Sequence, residues 1–190
     1  MKIAVDLDGT VFQTYEKAVE RYRKETGKEF HLKDFALNKD KIDDWFQEYF
    51  LTERSIDVPA YDDSIEILDK IQCDDDLFLL KYNFQVIFIT SRDKVLEKAT
   101  KKKMNHLGFY NIYFVPRKDR TKFLKDLGVD LLIEDELELA LKASENRIPT
   151  ILMARAWNDK KYYGNKYLVK AYDWADIFYL VRVVVWNKNI

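Results

Sequence analysis

Residues 2–10 read KIAVDLDGT, an apolar run that ends in two aspartates and a glycine. The apolar part, residues 2–7, predicts a short buried strand, and the residues after it are typical of a turn. Carboxylates two positions apart at a strand end point the same way, and Gly9 lets the backbone turn sharply beside them. Because such carboxylates repel each other, Asp6 and Asp8 need a cation or titrate at separate pKa values. The pair therefore suits one ionised nucleophile and one general acid or base.

Further apolar runs alternate with helical patterns along the rest of the chain. The run QVIFIT at residues 85–90 is apolar on both faces, as in a parallel strand that is covered on both sides. The other predicted strands lie at 111–115, 129–133 and 150–154, and the predicted helices between them lie at 93–107, 120–127 and 137–146. This alternation predicts an α/β fold with a parallel sheet.

Residues 13–83 interrupt the alternation, because their patterns predict helices alone. Apolar residues with helical spacing predict three helices, at 13–26, at 40–50 and from about residue 63 towards residue 80. We interpret the segment as a helical cap inserted after the first strand. The predicted division of the chain is a core of residues 1–12 and 84–190 and a cap of residues 13–83.

The composition is that of one soluble domain with a substantial core. The chain has 190 residues, of which 47% are hydrophobic, and its 32 Lys and Arg residues nearly balance 33 Asp and Glu residues. A net charge of −1 argues against an extended nucleic-acid surface but not against a small anionic substrate. The single Cys73 cannot form an intramolecular disulfide, and the sequence shows no signal peptide or membrane helix. We therefore expect a cytoplasmic protein that binds no membrane.

Two later strands also end in polar residues, and ligands of open α/β sheets bind at such carboxyl ends. Thr90, Ser91 and Arg92 offer two hydroxyl groups and a cation, which suits an anion. Glu134 and Asp135 offer the hard oxygen ligands that Mg²⁺ prefers. Each group alone is also typical of a helix N-terminus or a solvated helix, but their order in one α/β chain favours a shared site.

Residues 6–10 (DLDGT) resemble the first motif of the haloacid dehalogenase superfamily of phosphatases and phosphotransferases. Residues 90–92 resemble the second motif of that superfamily, and residues 134–135 resemble the fourth. The resemblance extends from residue 2 to about residue 156. It implies a Rossmann-like parallel sheet with a small α-helical cap inserted after the first strand.

The resemblance also implies a role for each of these residues. Asp6 would be the nucleophile that forms an aspartyl-phosphate, and Asp8 would protonate the leaving oxygen and then activate water. Mg²⁺ would be bound by the Asp6 carboxylate, the Asp8 main-chain carbonyl and Asp135. Thr90 would donate a hydrogen bond to a phosphoryl oxygen, helped by the backbone N–H of Ser91. A carboxylate attacks a phosphoryl group only when the charge on both is neutralised in this way.

The cation of the third motif has three candidates before the fourth predicted strand, Lys118, Arg120 and Lys122. Residues 119–121 resemble the Asp-Lys-Thr stretch of deoxynucleotidase members, which makes Arg120 the first choice and Lys122 the second. Arg would carry a permanent charge in a role that Lys often fills. The alternative interpretation of these residues is a basic helix face in water.

The C-terminal part resembles the 5′(3′)-deoxyribonucleotidase family. The shared order is Ile133-Glu134-Asp135, a strand at 151–154, Trp157-Asn158 and Tyr172-Asp173-Trp174. Glu134 departs from that family, whose fourth motif is usually two aspartates, and its role stays open. Arg92 and Lys94 lie in a loop where Pro is often found, and Arg92 either binds phosphate or faces solvent.

Two further features have alternative interpretations. Trp45, with Phe46 and Tyr49 on the same predicted helix, either stacks on a nucleobase or belongs to the small core of the cap. The apolar tail at 177–186 either packs on the sheet edge or forms a contact between two copies of the chain. A homodimer is therefore one predicted assembly.

Together the motifs predict a Mg²⁺-dependent phosphomonoesterase that acts through an aspartyl-phosphate, most like a phosphatase of (deoxy)nucleoside monophosphates. The predicted partner is a small phosphorylated substrate, and the predicted substrate-binding residues are Arg92 and Trp45. One alternative is a phosphatase of sugar phosphates or other small metabolites. Another is a non-catalytic protein that binds metal and phosphate. Asp6 and Asp8 disfavour that last class, because binding alone needs no second aspartate.

Overall fold

Six strands form one sheet in the computed structural model, which describes residues 1–37, 43–73, 84–159 and 165–187. The strands are β1 (Lys2–Asp6), β2 (Gln85–Thr90), β3 (Ile112–Phe114), β4 (Leu131–Glu134), β5 (Thr150–Met153) and β6 (Leu168–Ala171). Their order across the sheet is β3-β2-β1-β4-β5-β6, and every pairing is parallel. The predicted α/β fold with a parallel sheet is confirmed.

Eight α-helices are present in the described ranges. They are α1 (Thr14–Thr26), α2 (Asp34–Leu37), α3 (Asp44–Phe50), α4 (Ser64–Cys73), α5 (Glu97–His106), α6 (Arg120–Asp126), α7 (Leu137–Glu145) and α8 (Trp174–Asn187). Short 3₁₀ helices occupy Glu53–Ser55, Lys94–Leu96 and Arg117–Asp119. The helices predicted at 13–26, 93–107, 120–127 and 137–146 are found within a few residues of their predicted ends. The start of the helix predicted at 40–50 and the continuation of α4 towards residue 80 lie outside the described residues.

The strand register brings the ends of the three central strands together. Asp6 pairs with Ile89 of β2, and its neighbour in β1 pairs with Ile133 of β4. Thr90 and Glu134, the last residues of β2 and β4, therefore lie beside Asp6 at one edge of the sheet. This edge is at the carboxyl ends of the strands, where the strand order reverses between β1 and β4.

Helices cover both faces of the sheet, which explains why its central strands are apolar on both sides. On one face, Leu68 of α4 and Ile177 of α8 are buried in the same cluster as the strands. On the other face, Leu124 of α6 and Ala143 of α7 pack with strand residues. The main core of the protein therefore lies around the sheet.

A separate, mostly aromatic cluster lies among α1, α2 and α3. Its buried members are Ala18, Val19, Tyr22, Phe35, Phe46 and Tyr49. Helix α4 instead contacts β2 and α8 and belongs to the main core. The division into a core of 1–12 and 84–190 and a cap of 13–83 stays a prediction. Below, the term cap helices means α1, α2 and α3 alone.

The C-terminal part contains a strand, β6, that the sequence pattern does not predict. Helix α8 follows it, and Ile177 and Val181 of α8 are buried where the helix contacts α4 and β6. The apolar tail thus packs on the sheet, the first of its two interpretations, while a contact between copies stays a prediction. Among the described residues, no helix is both long enough and apolar enough to cross a bilayer.

Candidate functional site

A cavity of about 770 Å³ opens at the carboxyl ends of β1, β2 and β4, next to the cap helices. Charged side chains from the sheet edge and aromatic side chains from the cap helices both line it. Its charged and aromatic lining residues include Asp6, Asp8, Arg92, Arg120, Glu134, Asp135, Tyr15, Phe35, Phe50 and Trp157. The cavity therefore combines an acidic cluster with an apolar wall.

Asp6 ends β1 and is buried, with 5% of its surface exposed. Arg120 Nη1 donates to Asp6 Oδ1 and to Glu134 Oε2, each at 2.7 Å, and its Nη2 donates to Ser91 Oγ at 2.7 Å. One guanidinium thus joins the ends of three strands. Burial raises the pKa of Asp6 well above its usual range, and Glu134 and Asp135 raise it further against the opposing charge of Arg120. Asp6 therefore needs more positive charge than Arg120 supplies to be fully ionised.

Glu134 uses both of its carboxylate oxygens within the protein. Its Oε1 accepts from the backbone N–H groups of Asp135 and Glu136, each at 3.0 Å, and its Oε2 accepts from Arg120. Burial raises the pKa of Glu134, and the charge of Arg120 opposes that rise. The contacts of Glu134 are therefore those of a residue that orients Arg120 and the turn after β4.

Asp8 accepts hydrogen bonds from three side chains. Arg92 donates from Nε to both carboxylate oxygens, at 2.9 and 3.1 Å, and from Nη2 to Oδ1 at 2.6 Å. The hydroxyls of Thr14 and Thr90 donate to the same carboxylate at 2.7 and 3.3 Å. Burial acts to raise the pKa of Asp8, but the charge and hydrogen bonds of Arg92 outweigh burial and lower it. Asp8 is therefore held as an ionised carboxylate.

Asp135 follows β4 and is 2% exposed. Thr10 Oγ1 donates to its Oδ1 at 2.9 Å, and Trp157 Nε1 donates to its Oδ2 at 2.7 Å. Gly9 has a φ of +84°, and a Cβ at that position would lie 2.4 Å from Asp135 Oδ2. Only glycine permits this approach of the first motif to the fourth. Burial, followed by the charge of Glu134, raises the pKa of Asp135 to about 8.

The loop after β5 supports both acidic motifs. Arg155 Nε donates to the carbonyl of Gly9 at 2.7 Å, and Asn158 Nδ2 donates to the carbonyl of Asp135 at 2.6 Å. In the sequence, Trp157 and Asn158 stand out only as part of a resemblance, and Arg155 does not stand out at all. The signal available was polar residues directly after the fifth predicted strand, the position that the other site residues share.

Three buried acids could hold a metal ion. Asp6, Glu134 and Asp135 each offer a carboxylate oxygen within 4.8 Å of the others. Among the described residues, Arg120 is the one cation in ion-pair contact with them, so their full ionisation calls for a further positive charge. Oxygen ligands of this kind suit a hard divalent ion such as Mg²⁺. Glu134 is paired with the Arg120 guanidinium and with two backbone N–H groups, whereas the described partners of the Asp135 carboxylate are only the uncharged Thr10 and Trp157. Asp6 uses only its Oδ1 in the described hydrogen bonds, so Asp6 and Asp135 are the better fit as ligands.

Most of the predicted site residues come together at the cavity. Those that line it are Asp6, Asp8, Ser91, Arg92, Arg120 and Asp135. Thr90 is fully buried beside them, where its hydroxyl donates to Asp8 and accepts from the backbone N–H of Arg92 at 3.1 Å. The hydroxyl of Thr90 therefore supports the neighbouring residues and does not line the cavity.

Two predicted site residues lie elsewhere. Lys122 is exposed on α6 and does not line the cavity, because residues two apart on a helix point to different sides and Arg120 is the one that faces inward. Trp45 also lies away from the cavity. Its ring stacks on Tyr49 with centroids 5.1 Å apart, and its Nε1 donates to Glu25 at 3.0 Å. The contacts of Trp45 are those of the cap core.

An apolar wall of the cavity was not predicted from the sequence. Phe35, Phe50 and Leu51 contribute to it from the cap helices and the residue after α3, and Leu137 and Leu141 contribute from α7. The helical spacing that predicted a cap helix does not show which side of that helix meets the cavity. Phe35, Phe50 and Leu51 therefore line the cavity on the side where Trp45 was expected.

No protein-family model matches the sequence, and no curated protein does. Solved structures do share its fold. A haloacid dehalogenase-like hydrolase from Streptococcus pneumoniae is 16% identical, with a TM-score of 0.57 over 95% of this chain and 97% of that one. A protein assigned as a β-phosphoglucomutase from Bacteroides vulgatus is 13% identical, with a TM-score of 0.58 over 96% and 88% of the two chains. The L-2-haloacid dehalogenase of Xanthobacter autotrophicus is 11% identical, with a TM-score of 0.59 over 95% and 98%. The chain therefore has the haloacid dehalogenase-like fold.

Proposed function

We propose that the protein is a metal-dependent phosphomonoesterase. The observation that carries the proposal is the placement of Asp6 and Asp8 at one cavity together with Arg120 and Asp135. A nucleophile, a second carboxylate for proton transfer and a fixed cation are what phosphoryl transfer through a covalent intermediate needs. The fold is compatible with this chemistry, and the arrangement of the four side chains supports it.

The proposed reaction has two displacement steps at phosphorus. In the first, a carboxylate oxygen of Asp6 bonds to phosphorus while the ester P–O bond breaks, and Asp8 gives a proton to the leaving oxygen. In the second, Asp8 takes a proton from water, whose oxygen attacks phosphorus. Inorganic phosphate leaves, and the Asp6 carboxylate is restored. Arg120, which donates to Asp6, and Ser91, which accepts from Arg120, stabilise the charge on the transferring group.

The first step requires a proton on Asp8, whereas Arg92 keeps that carboxylate ionised. A phosphoryl group in the cavity offers Arg92 a second anion. We expect bound substrate to draw Arg92 away from Asp8, which lets the carboxyl take up a proton. Arg92 is then a phosphate-binding residue, the first of the two roles that its sequence position suggested.

Mg²⁺ fits the acidic cluster, where Asp6, Asp135 and the main-chain carbonyl of Asp8 would hold it. When bound, the ion neutralises charge on the phosphoryl group. Burial raises the pKa of both Asp6 and Asp135, and a nearby cation is what would favour their ionised forms. The electrostatics of the cluster thus support the proposed metal.

Displacement of a halide is the competing chemistry, since a dehalogenase is among the proteins with this fold. A halide leaves without a proton, whereas the alkoxide of a phosphate ester must be protonated as it leaves. Asp8 at the cavity supplies a group for that proton transfer. The two chemistries therefore differ in their need for Asp8, and its presence favours the phosphate ester.

The walls of the cavity favour a leaving group with a planar, apolar part. Phe50 and Leu51 line it from the cap side and Leu141 from α7, and about 770 Å³ is enough for a small organic ligand. We therefore favour a (deoxy)nucleoside monophosphate as substrate, in line with the resemblance of the C-terminal part. Phosphatases of sugar phosphates and non-catalytic binding of metal and phosphate are the alternatives. A cytoplasmic location and a homodimer stay predictions.

A screen of the purified protein tests the proposal. Its substrates are nucleoside monophosphates, sugar phosphates, an aryl phosphate and a short 2-halo acid, each with and without Mg²⁺. We expect Mg²⁺-dependent release of inorganic phosphate, fastest from the nucleotides, and no release of halide. Asp6→Asn controls for contaminating phosphatases. Fastest release from sugar phosphates would select the first alternative, and no release from any ester would contradict an enzymatic role.

A further inference from the structure

The hydroxyl of Tyr15 has no hydrogen-bond partner among the described residues, although Tyr15 lines the cavity. Buried tyrosine hydroxyls usually have a hydrogen-bond partner within the protein. The other two tyrosines of the cap helices follow this rule. Tyr22 donates to Asp43 Oδ2 at 2.9 Å, and Tyr49 donates to the carbonyl of Arg54 at 3.1 Å. Tyr15 is only half-buried, and its hydroxyl is not among the buried side-chain atoms that lack a partner, so this hydroxyl is exposed to the cavity, where a ligand can reach it.

Its ring is fixed by aromatic neighbours. The centroid of the Tyr15 ring lies 5.2 Å from that of Phe35, 5.8 Å from that of Phe50 and 4.8 Å from that of Trp157. Trp157 in turn donates a hydrogen bond from Nε1 to Asp135 Oδ2 at 2.7 Å. The ring is thus held between the cap helices and the acidic cluster, and a ligand in the cavity meets a pre-positioned hydroxyl.

The surroundings of Tyr15 make that hydroxyl a donor. Burial raises its pKa well above the usual range, and the charges of Asp135, Asp8 and Asp6 raise it further. The preceding residue, Thr14, donates to Asp8 Oδ1 at 2.7 Å, which fixes the start of α1 against the site. A protonated phenol next to the acidic cluster, with no partner in the described chain, is available to an acceptor atom of a ligand.

We infer that Tyr15 binds the leaving group of the substrate by donating a hydrogen bond to an oxygen close to the ester. Ser91 and Arg120 of the core are placed to hold the phosphoryl group. Tyr15 belongs to the cap helices, and its ring packs with Phe35 and Phe50 of the apolar wall. The inference rests on the proposed function and narrows its substrates to phosphate esters of sugars, polyols or nucleosides, whose leaving groups carry such an oxygen.

Tyr15→Phe tests the inference, because it removes the hydroxyl and keeps the ring. The measured quantity is kcat/KM for a nucleoside monophosphate and for an aryl phosphate whose leaving group has no further oxygen. Loss of one hydrogen bond between neutral groups should lower kcat/KM for the nucleotide by about 3- to 10-fold. The value for the aryl phosphate should change by less than about twofold. Tyr49→Phe is the matched control, since its hydroxyl is used within the cap, and it should leave both values unchanged.

Two outcomes of this comparison would overturn the inference. Equal losses on both substrates would place the hydroxyl at the phosphoryl group, and unchanged values on both would show that the substrate does not use it. Rates are compared at a temperature well below the melting temperature of every variant, so that partial unfolding does not lower the measured kcat/KM.

Equilibrium binding separates this inference from the proposed function. Calorimetry on Asp6→Asn, with and without Tyr15→Phe, measures the Kd of the same nucleotide and of inorganic phosphate. We expect binding of the nucleotide to weaken by about 3- to 10-fold and binding of phosphate to stay the same. That result would support the inference even if the wild type hydrolysed no ester. If the nucleotide does not bind, or binds equally with and without the hydroxyl, the inference is wrong.

Discussion

Arg92 and Asp8 form a buried ion pair in which the guanidinium donates to both carboxylate oxygens. Their side chains are 5% and 19% exposed, and the shortest contact, from Nη2 to Oδ1, is 2.6 Å. A pair on the surface contributes little to stability, whereas removal of one partner of a buried pair leaves an uncompensated charge. The pair therefore affects both the stability of the fold and the protonation of Asp8.

Arg92→Leu should lower the free energy of unfolding by about 3 kcal/mol at pH 7, because it leaves the Asp8 carboxylate buried without its cation. Arg92 lowers the pKa of Asp8 in the folded state, so the stabilisation is fully present above the unfolded pKa of about 3.9 and is lost as the pH falls through the folded pKa. In the variant that pKa rises, and Asp8 becomes neutral in mild acid. The difference between wild type and variant in urea unfolding should therefore shrink from pH 7 to pH 4.

The control for this prediction is a double-mutant cycle with Asp8→Asn. If the ion pair is the source of the effect, Arg92→Leu should cost much less in the Asp8→Asn background than in the wild type. A loss of stability that is the same at pH 4 and pH 7 would show instead that Arg92 contributes through packing.

Asp6→Asn should abolish turnover without weakening the fold. The amide oxygen of Asn still accepts from Arg120, while the substitution removes a nucleophilic carboxylate. Burial, Glu134 and Asp135 raise the pKa of Asp6, so its ionisation destabilises the folded state above the unfolded pKa. We expect kcat to fall by about 10³-fold or more and Tm at pH 7 to stay unchanged or rise. Turnover within about tenfold of the wild type would exclude the proposed covalent step.

Asp135→Asn and Glu134→Gln should differ in their effect on metal use. Glu134 is already paired with the cation Arg120, whereas the described partners of the Asp135 carboxylate are only the uncharged Thr10 and Trp157, and Asp135 is the acid that we expect to meet the ion. The Mg²⁺ concentration for half-maximal activity should rise by about 100-fold or more in Asp135→Asn and by about tenfold in Glu134→Gln, because Glu134 only positions the turn that carries Asp135. The half-maximal Mg²⁺ concentration of each variant is measured by following phosphate release while Mg²⁺ is titrated. The reverse order would make Glu134 the ligand.

Mg²⁺ binding should also tighten as the pH rises. Burial and Glu134 raise the pKa of Asp135 to about 8, so below that pH the ion must displace a proton from the carboxyl. The pKa of Asp6 is also raised, so this second ligand gives up a proton to the ion as well, and the affinity should increase by about 10- to 100-fold per pH unit towards pH 8 and less steeply above it. Calorimetric titrations of the wild type between pH 6 and pH 9 measure this slope. A pH-independent Kd would show that neither Asp6 nor Asp135 binds the ion.

The central strands and their polar ends could be predicted because both signals are local. Residues 85–90 are apolar on both faces, and the polar residues that follow each central strand reach one edge of the sheet through the parallel register. β6 was missed because it is an edge strand with only two buried residues, Leu168 and Ala171, which flank the exposed Val169 and the half-buried Lys170. Such a segment carries no continuous apolar run.

The contacts between site residues could not be predicted, because they join positions far apart in the chain. Arg92 reaches Asp8 across 84 residues, and nothing local distinguishes that contact from a solvent-facing arginine. The periodicity around Trp45 indicated an amphipathic helix correctly. It could not show that Trp45 packs within the cap while Phe50 lines the cavity.

Some residues of the cap segment line the cavity, and others form the aromatic cluster. Leu51 and Trp45 are examples of the two kinds, and substitutions at these positions should have different effects. Leu51 is 52% exposed and lines the cavity, whereas Trp45 packs in the aromatic cluster. Leu51→Ser should raise KM for a nucleoside monophosphate by about 3- to 5-fold with less than about 0.5 kcal/mol lost in stability. Trp45→Ala should lower the free energy of unfolding by about 2 kcal/mol and change KM by less than about twofold.

Steady-state kinetics and urea unfolding of the two variants measure these opposite patterns. A short alkyl phosphate, whose leaving group is too small to reach the apolar wall, is the control substrate, and Leu51→Ser should leave its KM unchanged. Uniform binding of a remote group appears in KM, whereas alignment of the phosphorus appears in kcat, so kcat should stay close to that of the wild type. If Trp45→Ala raises KM for nucleotides while Leu51→Ser does not, the leaving group meets the aromatic cluster and the apolar wall described here does not select the substrate.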